Sequence, residues 1–237
     1  MTCDLCAVSF AAGDPPRLTA FWSALLGWAP DGDMLVPPAA TRSFRLRFVP
    51  TDEPKVDLLR GHLDLTSASP EDQQRIVARA LELGARHLDV GQGPDATHVV
   101  LADPGGNEFD VIAPGNRFLA GCGTIGALAC DGSQQVGYFW SAALGWPLVW
   151  DQDEETAIQS PLGGTKISWG GPPLAVRAGS DRLRLDLVAG ADSDHQSEVG
   201  RLVGLGATRV GTDAATPGSV ELADPDGATF TVLPQER

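Results

Sequence analysis

The stretch Phe-Trp-Ser-Ala-Leu-Leu-Gly-Trp at residues 21–28 returns at residues 139–146 as Phe-Trp-Ser-Ala-Ala-Leu-Gly-Trp, with one difference in eight positions. Shorter repeats follow in the same order: Leu-Gly-Ala at residues 83–85 and 205–207, and Leu-Ala-Asp-Pro at residues 101–104 and 222–225. The second copy of each segment lies 118 to 122 residues after the first. Because this spacing is nearly constant, the chain contains two copies of one fold.

Length and charge limit the classes of protein that this chain can belong to. A chain of 237 residues is long enough for two domains with their own cores, and the repeat places them at residues 1–115 and 122–237. The formal net charge of −14 disfavours binding to nucleic acids or anionic membranes. The sequence has neither a bilayer-spanning apolar run nor the pattern of a signal peptide. We therefore expect a cytoplasmic protein without nucleic-acid or membrane partners.

The periodicity of each copy predicts an α+β fold in which a strand, a helix and further strands occur twice. The first helix has apolar residues at helical spacing, which form one stripe facing a core: Leu18, Phe21, Trp22, Leu25 and Leu26. Gly27 ends this helix, and Ser69 begins a second helix whose first turn contains proline and acidic residues. Strand patterns cover residues 5–11, 34–36, 43–49, 61–66, 99–103 and 108–112, and the second copy follows the same plan.

Period-two alternation divides the strand side chains between an apolar face and a polar face. The apolar face must pack against the helices. The polar face has charges of both signs, so it is either a solvated surface or the lining of a polar cavity. Its charged members are Arg45, Arg47, His62, Asp64, Glu108 and Asp110 in the first copy, and Arg182, Arg184 and Asp186 in the second.

Three segments of the first copy identify a resemblance to a known superfamily. They are Phe-Trp-x-x-x-Leu-Gly-Trp at residues 21–28, Gly-His-Leu-Asp-Leu at 61–65, and Leu-Ala-Asp-Pro-Gly-Gly-Asn-Glu-Phe at 101–109. On these segments the chain resembles the vicinal oxygen chelate superfamily, which includes glyoxalase I, bleomycin-resistance proteins and extradiol dioxygenases. The closest resemblance is to a glyoxalase-like subgroup common in actinobacteria, and it covers nearly the whole chain twice.

The resemblance implies two tandem domains of paired βαβββ modules, whose mixed sheets curl around a cavity. It therefore favours a cavity lining, rather than a solvated surface, for the polar face. The resemblance does not imply one activity, because this fold hosts both enzymes and proteins that only bind ligands.

The resemblance also implies where a divalent metal would be held, namely by His, Glu or Gln on the first and last strands of each module. The positions here are Ala7, Arg47, His62 and Asp110, and then Ala127, Ser168, Arg184 and Thr231. Only His62 and Asp110 are suitable ligands, and two protein ligands hold a metal weakly. We therefore expect either no cofactor or a divalent metal at His62 and Asp110.

Two alternatives to this arrangement remain open. Sites of this superfamily also form between modules of different domains, but Lys166, Ser168 and Arg184 would add no metal ligand. The polar residues of the first copy would otherwise form one hydrogen-bonded network of ion pairs inside the cavity, made of Arg45, Arg47, His62, Asp64 and Asp110.

Two tryptophans outside the repeated segments are candidate ligand contacts. Trp150 and Trp169 occur only in the second copy, and large aromatic side chains at a cavity mouth suit a flat or hydrophobic ligand. The alternation of Trp169 with Ile167 fits core packing equally well. The predicted ligand-binding set is Arg45, Arg47, Asp64, Trp150, Trp169 and Arg184.

Three functions are consistent with these residues. The first is a protein that binds a small organic metabolite or antibiotic between modules, without a complete metal site. The second is a metal-dependent lyase, isomerase or dioxygenase that uses His62 and Asp110. The third is a metal-free enzyme in which His62 is a general base beside Asp64 or Asp110. Because the duplication resembles a dimer fused into one chain, we expect a monomer or a homodimer.

Overall fold

The computed structural model describes residues 3–93, 95–174, 180–191, 193–212 and 216–234. Its elements follow the order strand, helix and three strands four times, and we call these units modules 1 to 4. Module 1 contains β1 (Cys3–Ala12), α1 (Pro15–Leu26), β2 (Ala29–Asp31), β3 (Met34–Val36) and β4 (Arg45–Pro50). Module 2 contains β5 (Gly61–Leu65), α2 (Pro70–Glu82), β6 (Arg86–His87), β7 (Val99–Ala102) and β8 (Glu108–Val111).

The second copy of the sequence forms modules 3 and 4 with the same element order. Module 3 contains β9 (Ile125–Cys130), α3 (Gln134–Leu144), β10 (Leu148–Gln152), β11 (Glu155–Gln159) and β12 (Lys166–Trp169). Module 4 contains β13 (Leu183–Ala189), α4 (His195–Gly204), β14 (Thr208–Gly211), β15 (Val220–Ala223) and β16 (Thr229–Leu233). The α+β fold and its paired βαβββ modules are therefore confirmed.

The modules pair across the two copies of the sequence rather than within them. Sheet A has the strand order β14-β15-β16-β13-β1-β4-β3-β2, and it joins modules 4 and 1 through the antiparallel pair β1 and β13. Sheet B has the order β10-β11-β12-β9-β5-β8-β7-β6, and it joins modules 3 and 2 through the antiparallel pair β5 and β9. Within each module the first and last strands run parallel, so both eight-stranded sheets are mixed.

The helix ends follow the local sequence signals. The Asp14 side chain accepts a hydrogen bond from the backbone N–H of Arg17 at the start of α1, and Gly27 ends the helix with a φ of 70°. Ser69 caps α2 by accepting from the N–H of Asp72 at 3.1 Å, as predicted. No described helix combines the length and apolarity needed to cross a membrane.

The two repeated segments of each copy contact each other in the core. The indole N–H of Trp22 donates to the Asp103 carboxylate at 3.0 Å, and Trp140 donates to Asp224 at 3.1 Å. Asp103 also accepts from the backbone N–H groups of Gly105 and Asn107, which shapes the turn between β7 and β8. The repeated residues thus hold the first helix of one module against the closing hairpin of the next.

Candidate functional site

The charged residues of the polar faces are divided between the two sheets. Arg45 and Arg47 lie on β4 in sheet A, whereas His62, Asp64 and Asp110 lie on β5 and β8 in sheet B. The expectation of a single ion-pair network containing all five residues was therefore wrong. The physical reason is the strand pairing, because β4 pairs with β1, and β1 pairs with β13 of module 4 and not with module 2.

Three side chains of sheet B converge on one point, and we call them the acid–imidazole cluster: His62, Asp64 and Asp110. His62 and Asp64 face the same side because they are two residues apart on β5, and Asp110 lies opposite Asp64 on the parallel strand β8. The Nε2 atom of His62 is 3.4 Å from Asp64 Oδ1 and 3.6 Å from Asp110 Oδ2. One ligand atom from each residue lies within 4.8 Å of the others.

The charges of this cluster shift the pKa values of its members. Burial opposes the charged imidazolium, but the contact with Asp64 and the negative charges of Asp64 and Asp110 outweigh it, so the pKa of His62 is raised. Burial also raises the pKa of Asp110, although the neighbouring His62 and His98 favour its carboxylate form. Both His62 and Asp110 therefore bind a proton more readily than the free side chains do.

His98 also lies beside the acid–imidazole cluster, and the sequence alone did not predict this position. Its side chain is 36% exposed, and its Nε2 atom is 3.9 Å from Asp110 Oδ2. The pairing of Val100 with Asp110 explains this, because His98 lies just before β7 and two residues from Val100, and residues two apart in extended chain face the same side of the sheet. The sequence could have placed His98 beside Asp110 only if the register between β7 and β8 had been known.

The two contacts of His62 are longer than strong charge-assisted hydrogen bonds, and their lengths are compatible with ligand atoms around a divalent cation. Charge-assisted N–H···O bonds are about 2.7–2.9 Å long, which is shorter than either contact of His62. Ligand atoms bound at about 2.1 Å around a tetrahedral ion are about 3.4 Å apart, which matches both contacts. Asp64 thereby extends the predicted ligand pair to three residues, while Ala127 and Ser168 on module 3 add no comparable ligand.

The polar face of sheet A has the same frame but different side chains. Arg184 occupies the position of His62, Asp186 that of Asp64, and Thr231 that of Asp110. Arg184 forms an ion pair with Glu221 at 2.9 Å, between Nη1 and Oε1. The strands of this face and the segments beside them enclose a cavity of about 220 Å³.

The remaining predicted ligand contacts lie apart from the acid–imidazole cluster. Trp169 is only 3% exposed and belongs to the hydrophobic core, which corresponds to the core-packing interpretation. Trp150 lies on the edge strand β10 and packs edge-on against Phe118, with ring centroids 6.3 Å apart. Arg45 is exposed at the start of β4.

Paired βαβββ modules around polar sheet faces define a protein of the vicinal oxygen chelate superfamily with two tandem domains. The sequence matches the family described as "Glyoxalase-like domain" twice, at residues 7–112 and 126–233, and the chain belongs to that family. A comparison with curated protein sequences finds no match.

Solved structures share this architecture over nearly the whole chain. Glyoxalase I from Zea mays matches over 98% of this chain and 92% of its own, with a TM-score of 0.65 and 14% sequence identity. A proposed dioxygenase from Bacillus subtilis matches over 100% of this chain and 86% of its own, with a TM-score of 0.64 and 11% identity. At these identities the similarity establishes the fold alone.

Proposed function

We propose that this protein binds a small organic molecule with oxygen donors at the polar face of sheet B, and that the acid–imidazole cluster holds a divalent cation there. The proposal rests on one observation, the spacing of three candidate ligand atoms, which are His62 Nε2 and one carboxylate oxygen each of Asp64 and Asp110. Superfamily membership supports a ligand cavity at this face, and the names of the structural neighbours include a glyoxalase and a proposed dioxygenase.

The residues of the cluster have distinct roles in this proposal. His62 supplies the neutral nitrogen ligand, and the carboxylates of Asp64 and Asp110 supply the negative charge that balances a divalent ion. When bound, such an ion would polarise the oxygen atoms of the ligand. Because His62 must lose its proton before it can bind a metal, its raised pKa makes metal affinity fall as the pH is lowered.

Titration calorimetry of chelator-treated protein with zinc and manganese salts tests this proposal. We expect one ion per chain, and we expect His62→Ala to weaken binding by about 100-fold or more, since it removes a direct ligand. Arg184→Ala is the matched control, because it changes the equivalent position of sheet A. The proposal fails if neither metal binds at a one-to-one ratio, or if the two variants behave alike.

A metal-free acid–base role for His62 is the second candidate function. The observation that favours it is the contact of the imidazole with two carboxylates, at 3.4 and 3.6 Å, whose charges raise the pKa of His62 and would stabilise a proton that it accepts as a general base. Mass spectrometry of small molecules that copurify with the protein would identify a ligand in either case. A bound ligand that persists after chelation, and is lost in His62→Ala, would support this candidate over the metal site.

A further inference from the structure

Arg182, at the cavity of sheet A, is a cation without a carboxylate partner among the residues that the structure describes. It precedes β13 and lies two residues before Arg184, and both arginines line the cavity. Its guanidinium donates to two backbone carbonyl oxygens, those of Glu53 at 2.8 Å and Ala11 at 2.9 Å. Its Nε–H is buried without an acceptor, and in the part of the chain that the structure describes no carboxylate forms an ion pair with it.

The other arginines of this cavity are already neutralised. Arg184 is paired with Glu221, and Arg47 contacts Asp33 at 2.6 Å and Asp186 at 3.7 Å. Arg182 alone among the described cavity arginines therefore has a positive charge that no carboxylate of the described residues contacts.

The carboxylates that line the cavity are likewise occupied. Asp186 accepts from the Ser9 hydroxyl, and Asp181 accepts from the backbone N–H of Thr229 at 2.8 Å. Asp181 also lies 2.7 Å from Arg60 Nε, although this approach lacks the alignment of a hydrogen bond. Glu53 is exposed, and its carboxylate accepts from the Ser180 hydroxyl.

The size of the cavity sets the size of an occupant. A volume of 220 Å³ equals the liquid volume of about seven water molecules, which suits a molecule smaller than most drug-sized ligands. A guanidinium presents its N–H groups in a planar fork that matches the geometry of carboxylate and phosphate oxygens. Neutral parts of such a molecule would contact Ala11, Val49 and Pro50, which also line the cavity.

We propose that the cavity of sheet A is a second ligand site, which binds a small molecule with a carboxylate or phosphate group through Arg182. The site is separate from the acid–imidazole cluster, because the two lie on different sheets. The chain would therefore bind two ligands of different chemistry on two faces built from one repeated frame.

Titration calorimetry of the full chain with succinate, inorganic phosphate and neutral succinamide tests this site. We expect at least one of the two anions to bind at one per chain, and succinamide not to bind. Preference for succinate over phosphate would identify an organic carboxylate as the natural group, and the reverse preference would identify a phosphate. Absence of binding by both anions, or equal binding of succinamide, would overturn the proposal.

Substitutions at Arg182 and Glu53 test whether anion binding depends on the charge of Arg182. Arg182→Gln should weaken anion binding by about tenfold or more, because it removes the charge, while Arg182→Lys should retain part of the affinity. Glu53→Gln removes a nearby negative charge but keeps the backbone carbonyl that Arg182 contacts, so it should strengthen binding.

His62→Ala, tested in chelator-treated protein so that sheet B holds no metal, is the control for the other sheet, and we expect it to leave the anion affinity of sheet A unchanged. Glu53 is exposed, so Glu53→Gln provides a result even if Arg182→Gln does not fold. Anion binding that is insensitive to both Arg182→Lys and Glu53→Gln, or that disappears in His62→Ala, would contradict the assignment to Arg182.

Discussion

Sheets A and B have the same frame but present different chemistry on their polar faces. In both sheets the first and last strands of two modules line the polar face. In each copy of the sequence a tryptophan to aspartate hydrogen bond holds a helix of one sheet's module against a hairpin of the other sheet's module. On sheet B this frame brings an imidazole and two carboxylates together. On sheet A the equivalent positions have an arginine, a carboxylate and a hydroxyl, and the charged groups form ion pairs.

The difference separates residues that both copies need for folding from residues that only one copy uses. The repeated Phe-Trp segments are buried in both halves, so their repetition reflects the core. Two positions at which the copies differ, His62 against Arg184 and Asp110 against Thr231, lie on the polar faces. Divergence between two copies in one chain therefore locates candidate sites more sharply than the repeated motifs do.

The largest expected effect comes from breaking the shared frame. Trp22→Ala and Trp140→Ala should each lower the free energy of unfolding by about 3–5 kcal/mol, because each removes a buried indole and its bond to a buried aspartate. Urea denaturation measures both losses. If the two Trp–Asp contacts are equivalent, both variants should lose a similar free energy of unfolding. A loss in only one variant would show that the two contacts are not equivalent.

A second test exchanges residues between the two polar faces. Asp110→Thr gives sheet B the residue that sheet A has, and we expect the affinity for zinc to fall by about 100-fold, as measured by calorimetry. The reciprocal change Thr231→Asp should not create a second zinc site, because Arg184 and Arg47 remain beside it. A second zinc equivalent in Thr231→Asp would show that the arginines do not distinguish the faces.

Because only sheet B has a histidine at the position of His62 and Arg184, the contribution of its polar face to folding stability should depend on pH. Because the folded pKa of His62 is raised, its stabilising effect is present below the ordinary value of about 6.5 and is lost as the pH rises through the folded pKa. In metal-free protein, His62→Ala should therefore cost more stability at acidic than at alkaline pH. The difference should be below about 1 kcal/mol, because the side chain is 38% exposed.

Chemical denaturation at several pH values measures this dependence. Arg184→Ala, on the equivalent position of sheet A, is the comparison, since a guanidinium does not titrate in this range. A cost of His62→Ala that does not change with pH would be inconsistent with a raised pKa.

The smallest effect is expected at the exposed end of an ion pair on sheet A. The carboxylate of Asp33 is 59% exposed and lies 2.6 Å from Arg47 Nε. Asp33→Asn should lower the free energy of unfolding by no more than about 0.5 kcal/mol, and added salt should reduce this difference further. A loss above about 1 kcal/mol in urea denaturation would mean that the pair holds the edge of the sheet.

Much of the fold could be predicted from local patterns. The helix of Trp22, the cap at Ser69 and the placement of His62 and Asp64 on one face all depend on residues close together in the chain. Asp64 was predicted on the polar face but not as a candidate metal ligand, because alternation gives a direction and not a distance. The position of His98 required the register between β7 and β8.

The sequence by itself determined that there are two copies, that each contains two modules, and which side chains share a strand face. These properties follow from repeats, caps and period-two alternation, which act over a few residues. Only the tertiary structure decided that module 1 joins module 4 and module 2 joins module 3. The apolar faces of the modules are alike, so no local pattern selects the partner. The edge pairing of β1 with β13 and of β5 with β9 thus determines which charges share a cavity.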